Sequence, residues 1–143
     1  MKVADYFVLD CSVTMAWILR DDHMNDDADV ILKMLEEKKA KVPTIWPLEV
    51  ANVLCMAERQ KKLTALEVSE FKEFLSELPI HIDHDTSLRT MGSIYLLAKT
   101  ERLTVYDAAY LEIAIRENTP IATFDKELKN AAKKNGVTVL SNL

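Results

Sequence analysis

Glycine is nearly absent: Gly92 and Gly136 are the only two in 143 residues. That scarcity removes the Gly-rich loops that cradle phosphates with backbone N–H groups, both the P-loop and the dinucleotide fingerprint. Any handling of phosphate groups must go through side chains or metal ions. Cysteine is equally scarce, and Cys11 and Cys55 both stand among apolar neighbours. They read as two reduced core thiols, as expected of a cytosolic protein, and no further Cys or nearby His completes a zinc set. The three histidines, His23, His81 and His84, are not spaced as metal ligands. No apolar run reaches the length of a membrane span. Met1 to Asp10 lacks the basic, apolar and small-residue pattern of a secretory signal. The expectation is a cytoplasmic protein with no membrane partner. Positive charge is not in excess either: 18 Lys and Arg stand against 23 Asp and Glu, for a net charge of −5. Bulk charge therefore does not draw this chain to nucleic acid. A local basic rim with metal-bridged phosphate contacts remains open to it.

What is present is a strong core signal. Apolar residues make up 49 % of the chain, which suits one domain, residues 1–143, rather than a disordered segment. Tyr6-Phe7-Val8-Leu9 reads as a strand buried on both faces, of the kind found in parallel sheets. Ser12 is placed to cap a first helix carrying Val13, Ala16, Trp17 and Arg20. A second helix starts at Asp26 or Asp27, with Ala28, Ile31, Leu32 and Leu35 as its stripe and Glu36 to Lys41 as its solvated end. Val42 to Trp46 is extended, and Pro47 opens a third helix with Leu48, Val50, Ala51, Leu54, Cys55 and Ala57 as core residues. Thr64 to Glu67 has capping-box spacing and opens a fourth helix ending near Leu78. Ile80-His81-Ile82 alternates like a strand. A fifth helix follows, with Leu88, Met91, Tyr95 and Ala98 on one face. From Leu103 to Leu128 the chain reads as a helix capped by Thr104, a stop at Asn118 and Pro120, a short strand Ile121-Ala122-Thr123, and a last helix start. That helix ends at Asn135-Gly136, before a final strand Val137 to Leu140. The order points to an α/β fold: a mostly parallel sheet of about five strands with about seven helices on both sides.

Four acids stand among apolar neighbours while most others lie in charged runs. Asp10 ends the first strand, Glu49 lies early in the third helix, Asp107 early in the long central helix, and Asp125 follows a late strand. Parallel strands would bring these junctions to one sheet edge. At about 4 Å, two unit charges cost about 4 kcal/mol at an effective dielectric near 20. Protonation or a cation must relieve that, and hard oxygen ligands favour Mg²⁺ or Mn²⁺. Such a site can activate water against a phosphodiester. Each acid also has a local explanation. Asp10 and Asp125 could cap helices, Asp107 could complete a capping box with Thr104, and Glu49 could favour the positive end of its helix.

These residues resemble a known family. Val8-Leu9-Asp10-Cys11-Ser12-Val13, with Trp17 and the acids Asp21-Asp22, is similar to the first motif of the PIN-domain ribonucleases. Within that family it is similar to the VapC-type toxins of toxin–antitoxin pairs. Pro47-Leu48-Glu49-Val50-Ala51-Asn52-Val53-Leu54 resembles the second motif and Tyr106-Asp107-Ala108-Ala109-Tyr110-Leu111 the third. Thr123-Phe124-Asp125, followed by Leu128 and Gly136-Val137, resembles the fourth. The resemblance covers nearly the whole chain in order and implies a PIN-like α/β/α sandwich. It implies that Asp10 and Asp107 hold Mg²⁺ or Mn²⁺ directly, that Glu49 and Asp125 complete the acidic pocket, and that Ser12, Asn52 and Thr123 fix the carboxylates. The implied activity is RNA hydrolysis by metal-activated water. The implied partners are an RNA substrate, a VapB-type antitoxin and a second copy in a homodimer. Cys11 stands where a small residue is usual. Met15, Trp17, Trp46 and Met56 are either ordinary core or the lining of a groove for an antitoxin helix. The alternative reading is a PIN-fold module that binds RNA or protein without cutting. A phosphatase with an aspartate nucleophile is disfavoured, because it needs a second acid where Ser12 stands.

Overall fold

The structure, a computed structural model, describes residues 5–20 and 25–140. Asp21 and Asp22, read above with the first motif, and His23 lie outside the described residues. The centre is a four-stranded parallel sheet in the order β3-β2-β1-β4. Its strands are β1 Tyr6–Leu9, β2 Lys39–Pro43, β3 Ile80–Asp83 and β4 Ile121–Ala122. Phe7, Val8 and Leu9 are all fully buried, so helices cover both faces of β1, as its unbroken apolar run requires. The expected final strand is reduced to one parallel bridge, Ile121 to Val139, beside β4.

The helices are α1 Cys11–Ala16, α2 Asn25–Met34, α3 Trp46–Arg59, α4 Ala65–Ser76, α5 Thr86–Arg89, α6 Tyr95–Glu101, α7 Val105–Glu117 and α8 Lys126–Lys134. A π turn, Thr90–Ile94, joins α5 to α6, so they form one continuous kinked stretch, giving seven helical stretches among the described residues. The capping box at Thr64 and Glu67 forms as its spacing predicts. Helix α7 is the core helix: residues 108–114 are all buried, and it packs against β1, β2 and β4. Asn118, in the left-handed region at φ 52°, ends it, as an Asn tolerates. Gly136 at φ 74° turns the chain away after α8. Among the described residues no helix is long and apolar enough to cross a membrane.

Four sequence expectations are corrected. Residues 36–41 do not form the solvated end of α2, because the helix stops at Met34 and Lys39 enters the sheet. Ala40 and Val42 point into the core, while Lys41 lies over the Tyr6 ring, its Nζ 4.9 Å from the centroid, and pairs with Glu117. Lysine stems cover apolar surface here, so a charge-rich run serves as a strand. Ser12 is not the cap of α1, which begins at Cys11 and ends at Ala16 instead of reaching Arg20. On α3, Trp46, Val50, Leu54 and Ala57 face inward, whereas Leu48, Ala51 and Cys55 are exposed. The expected set of Leu48, Val50, Ala51, Leu54, Cys55 and Ala57 is too wide, because one helix face admits only the 3.6-residue stripe. Cys55 is therefore a surface thiol, and Cys11 alone is buried. In the fifth stretch only Ala98 of the expected face is buried, with Leu88 84 % and Met91 88 % exposed. Gly92, at φ −112° and ψ −105°, breaks the helical register, so the expected face is not continuous. Met15, Trp17 and Trp46 are core residues, and Met56 is exposed.

Candidate active site

The parallel strands put their carboxyl ends on one edge. The chain leaves β1 toward β2 on one side and returns to β4 on the other, so β1 and β4 flank the switch point where open α/β sheets bind ligands. Asp10 follows β1 directly, and its N–H donates to the Ala122 carbonyl at 2.9 Å. Glu49 lies in the first turn of α3, which starts just after β2. Helix α7 precedes β4 through a tight stop, so its C-terminus meets the amino edge of the sheet and its N-terminus, with Asp107, meets the carboxyl edge. Asp125 follows β4 and caps α8, its Oδ1 accepting from the Leu128 N–H at 2.9 Å.

Asp10 is the best-held of the four. It is 6 % exposed, and its side chain makes no helix-cap bond. Instead Oδ2 accepts from Ser12 Oγ at 2.6 Å and from Thr123 Oγ1 at 2.8 Å. Each hydroxyl is itself fixed: Ser12 Oγ accepts from the Phe124 N–H, and Thr123 Oγ1 from the Asp125 N–H, both at 3.0 Å. The two hydroxyls thus pin the Asp10 carboxylate and tie the β1 end to the loop after β4. Trp46 Nε1 donates to Thr14 Oγ1 at 3.1 Å, which fastens the start of α3 to α1. Asn52 is exposed on α3 and makes no hydrogen bond to any of the four acids.

The four acids share one electrostatic space. Burial raises the Asp10 carboxyl above the usual range, opposed by the Ser12 and Thr123 hydroxyls and reinforced by Asp125. Burial also raises Glu49, with Asp10 adding to it and the Tyr110 hydroxyl opposing it. Asp107 is pushed up to about 6, by burial first and then by the charges of Asp125, Asp10 and Glu49. Its N–H donates to Thr104 Oγ1 at 3.0 Å, one half of the expected capping box. Burial, then Glu49 and Asp10, lift the Cys11 thiol to about 12, so it stays neutral in the metal-free protein.

Tyr110 stands in the third motif, but the sequence reading gives it no role. Its hydroxyl donates to Glu49 Oε1 at 2.5 Å. The signal was its place three residues after Asp107, one turn along the same helix face.

Among the described residues no three His, Cys, Asp or Glu groups form a ready-made metal cage. Mg²⁺ does not need one, since it binds through one or two carboxylates and keeps several waters. The donors are all hard oxygens, and burial first, then mutual charge, raises Asp10, Glu49 and Asp107 above their ordinary range. That donor set fits a hard divalent ion.

Residues 7–134 match the family profile of the PIN domain. Comparison with curated sequences yields no match. Among solved structures, the chain is similar to PAE2754 from Pyrobaculum aerophilum at TM-score 0.68 and 21 % identity, covering 97 % of this chain and 85 % of that one. It is also similar to VapBC2 from Rickettsia felis bound to a DNA fragment from their promoter, at TM-score 0.63 and 17 % identity. That match covers 94 % of this chain and 96 % of the other. A profile spanning nearly the whole described chain, on a parallel sheet with acids gathered at its carboxyl edge, places the protein in the PIN-domain family.

Proposed function

We propose that the protein is a Mg²⁺-dependent endoribonuclease, with Mn²⁺ able to replace Mg²⁺, and the toxin of a VapBC-type toxin–antitoxin pair. One observation carries this reading: at the switch point of the sheet the charges of Asp125, Asp10 and Glu49, from three other segments of the chain, all reach Asp107. Asp10 and Asp107 would hold the ion, with Glu49 and Asp125 completing the pocket. A divalent ion bound there supplies an activated water and offsets the charge developing on a phosphodiester. The chain's own contribution is orientation. Ser12 and Thr123 hold the Asp10 carboxylate, and burial strengthens every charge interaction in the crevice. The likeness to VapBC2 supports a VapB-type antitoxin as partner, and the family resemblance supports a cytoplasmic homodimer. The test is cleavage of RNA by the purified protein with and without Mg²⁺, beside Asp10→Asn and Asp107→Asn. Cleavage by either variant at the wild-type rate sinks the proposal.

A second reading is a PIN-fold module that binds RNA or protein without cutting. Mg²⁺ titration separates the two, because a binding module cuts no RNA at any metal concentration.

A further inference from the structure

We propose that Tyr110 is a positioning residue that acts through Glu49, holding its carboxylate at the crevice and so setting the affinity of the pocket for a divalent cation. The inference rests on the nuclease reading above. Tyr110 is fully buried and is the largest side chain in the core to be so. A buried phenol needs a partner for its O–H, and the partner here is a carboxylate of the proposed site. The bond joins α7 to α3 across 61 positions of sequence. One helix therefore supplies Asp107 directly and governs Glu49 by hydrogen bond.

The bond has chemical consequences. It occupies Oε1, while Oε2 carries no hydrogen bond among the described residues. It favours the ionised form of Glu49 against the burial that opposes it. It also fixes a long, rotamer-rich side chain in one place. The phenol keeps its proton, because burial and the nearby charges of Asp10 and Glu49 all resist its ionisation. It can then act only as a donor toward the carboxylate. Partners of this outer kind typically change metal affinity by roughly 10- to 100-fold when removed.

Calorimetric titration of Mn²⁺ into the full chain, paired with melting of the metal-free protein, tests this. Tyr110→Phe keeps the ring and its burial and deletes only the hydroxyl. The expected result is binding weaker by about 10-fold or more with the cooperative melting transition retained. Should that variant unfold, Glu49→Asp takes its place. It keeps the charge but draws the carboxylate away from the hydroxyl, and the same weakening is expected. Wild-type affinity in whichever variant folds overturns the proposal. If that happens while Asp107→Asn loses Mn²⁺, the nuclease reading stands and only the role of Tyr110 falls. Wild-type protein that binds no Mn²⁺ overturns both.

Discussion

Helix α7 carries two acidic regions that are built in opposite ways. Toward its C-terminus, Arg116 lies between Glu112 and Asp83, with Nη2 2.6 Å from Asp83 Oδ2 and Nε 3.0 Å from Glu112 Oε2. Thr86 Oγ1 also donates to Asp83, and Arg89 approaches Glu112 at 3.9 Å. Hydrogen bonds to Glu112 and then Asp83 hold the guanidinium in its charged form. Toward the N-terminus, Asp107, Asp10, Glu49 and Asp125 meet with hydroxyl donors and, among the described residues, no cationic side chain bonded to any of them. A buried carboxylate matched by a guanidinium is a clamp. A group of carboxylates left without one stores repulsion that a bound cation can relieve. The difference separates scaffold from candidate site on a single helix.

Neutralising the site should produce the largest effect. Asp10→Asn or Asp107→Asn is expected to reduce RNA cleavage to background while leaving the metal-free melting temperature unchanged or higher, since each removes repulsion. Gel assays of cleavage and calorimetric melting check both halves. The matched region should respond in the opposite way. Arg116→Met leaves Asp83 and Glu112 buried without their main partner and should cost about 3–5 kcal/mol, lowering the melting temperature by on the order of 10 °C. A melting temperature within a degree of wild type would erase the contrast.

Acidity gives a smaller and more diagnostic effect. The Asp107 carboxyl is raised to about 6 in the fold, so the folded protein holds a proton that the unfolded chain releases near its ordinary value. The associated stability is fully present below that ordinary value and is lost as pH rises through about 6. Asp10 and Glu49 are raised in the same direction. Metal-free protein should therefore lose about 1–2 kcal/mol between about pH 4 and pH 7, once solvent screening is allowed for. Saturating Mg²⁺ should restore it, and denaturant melts across that range measure both. The smallest effect belongs to Lys41→Met. Its ion pair with Glu117 is partly open to solvent, so chemical denaturation should register less than about 1 kcal/mol.

Local signals around the acids were legible because they depend on near neighbours. Thr104 caps α7 and Asp125 caps α8, as their positions predict. Asp10 does stand at the N-cap position of α1, but its side chain makes no cap hydrogen bond, because its carboxylate is taken by Ser12 and Thr123, the latter 113 positions away. The strand at Lys39–Pro43 was hidden because its lysines become compatible with the sheet only when Tyr6 and Glu117 lie beside them. Leu88 and Met91 misled for the same kind of reason: an apolar period says nothing of a π turn that interrupts it. The Asp83–Arg116–Glu112 clamp was likewise invisible, since two of its three members look like ordinary charged residues on a helix.

By itself, the order of residues determined the alternation of short apolar strands and capped helices, and the placing of an acid at each strand–helix junction. Those features follow from backbone chemistry within a few residues. The tertiary structure alone decided which charges are balanced. Whether a carboxylate meets Arg116, Tyr110 or only other carboxylates depends on which helix end reaches which sheet edge, and electrostatic energy in a buried site is set by those distances through space.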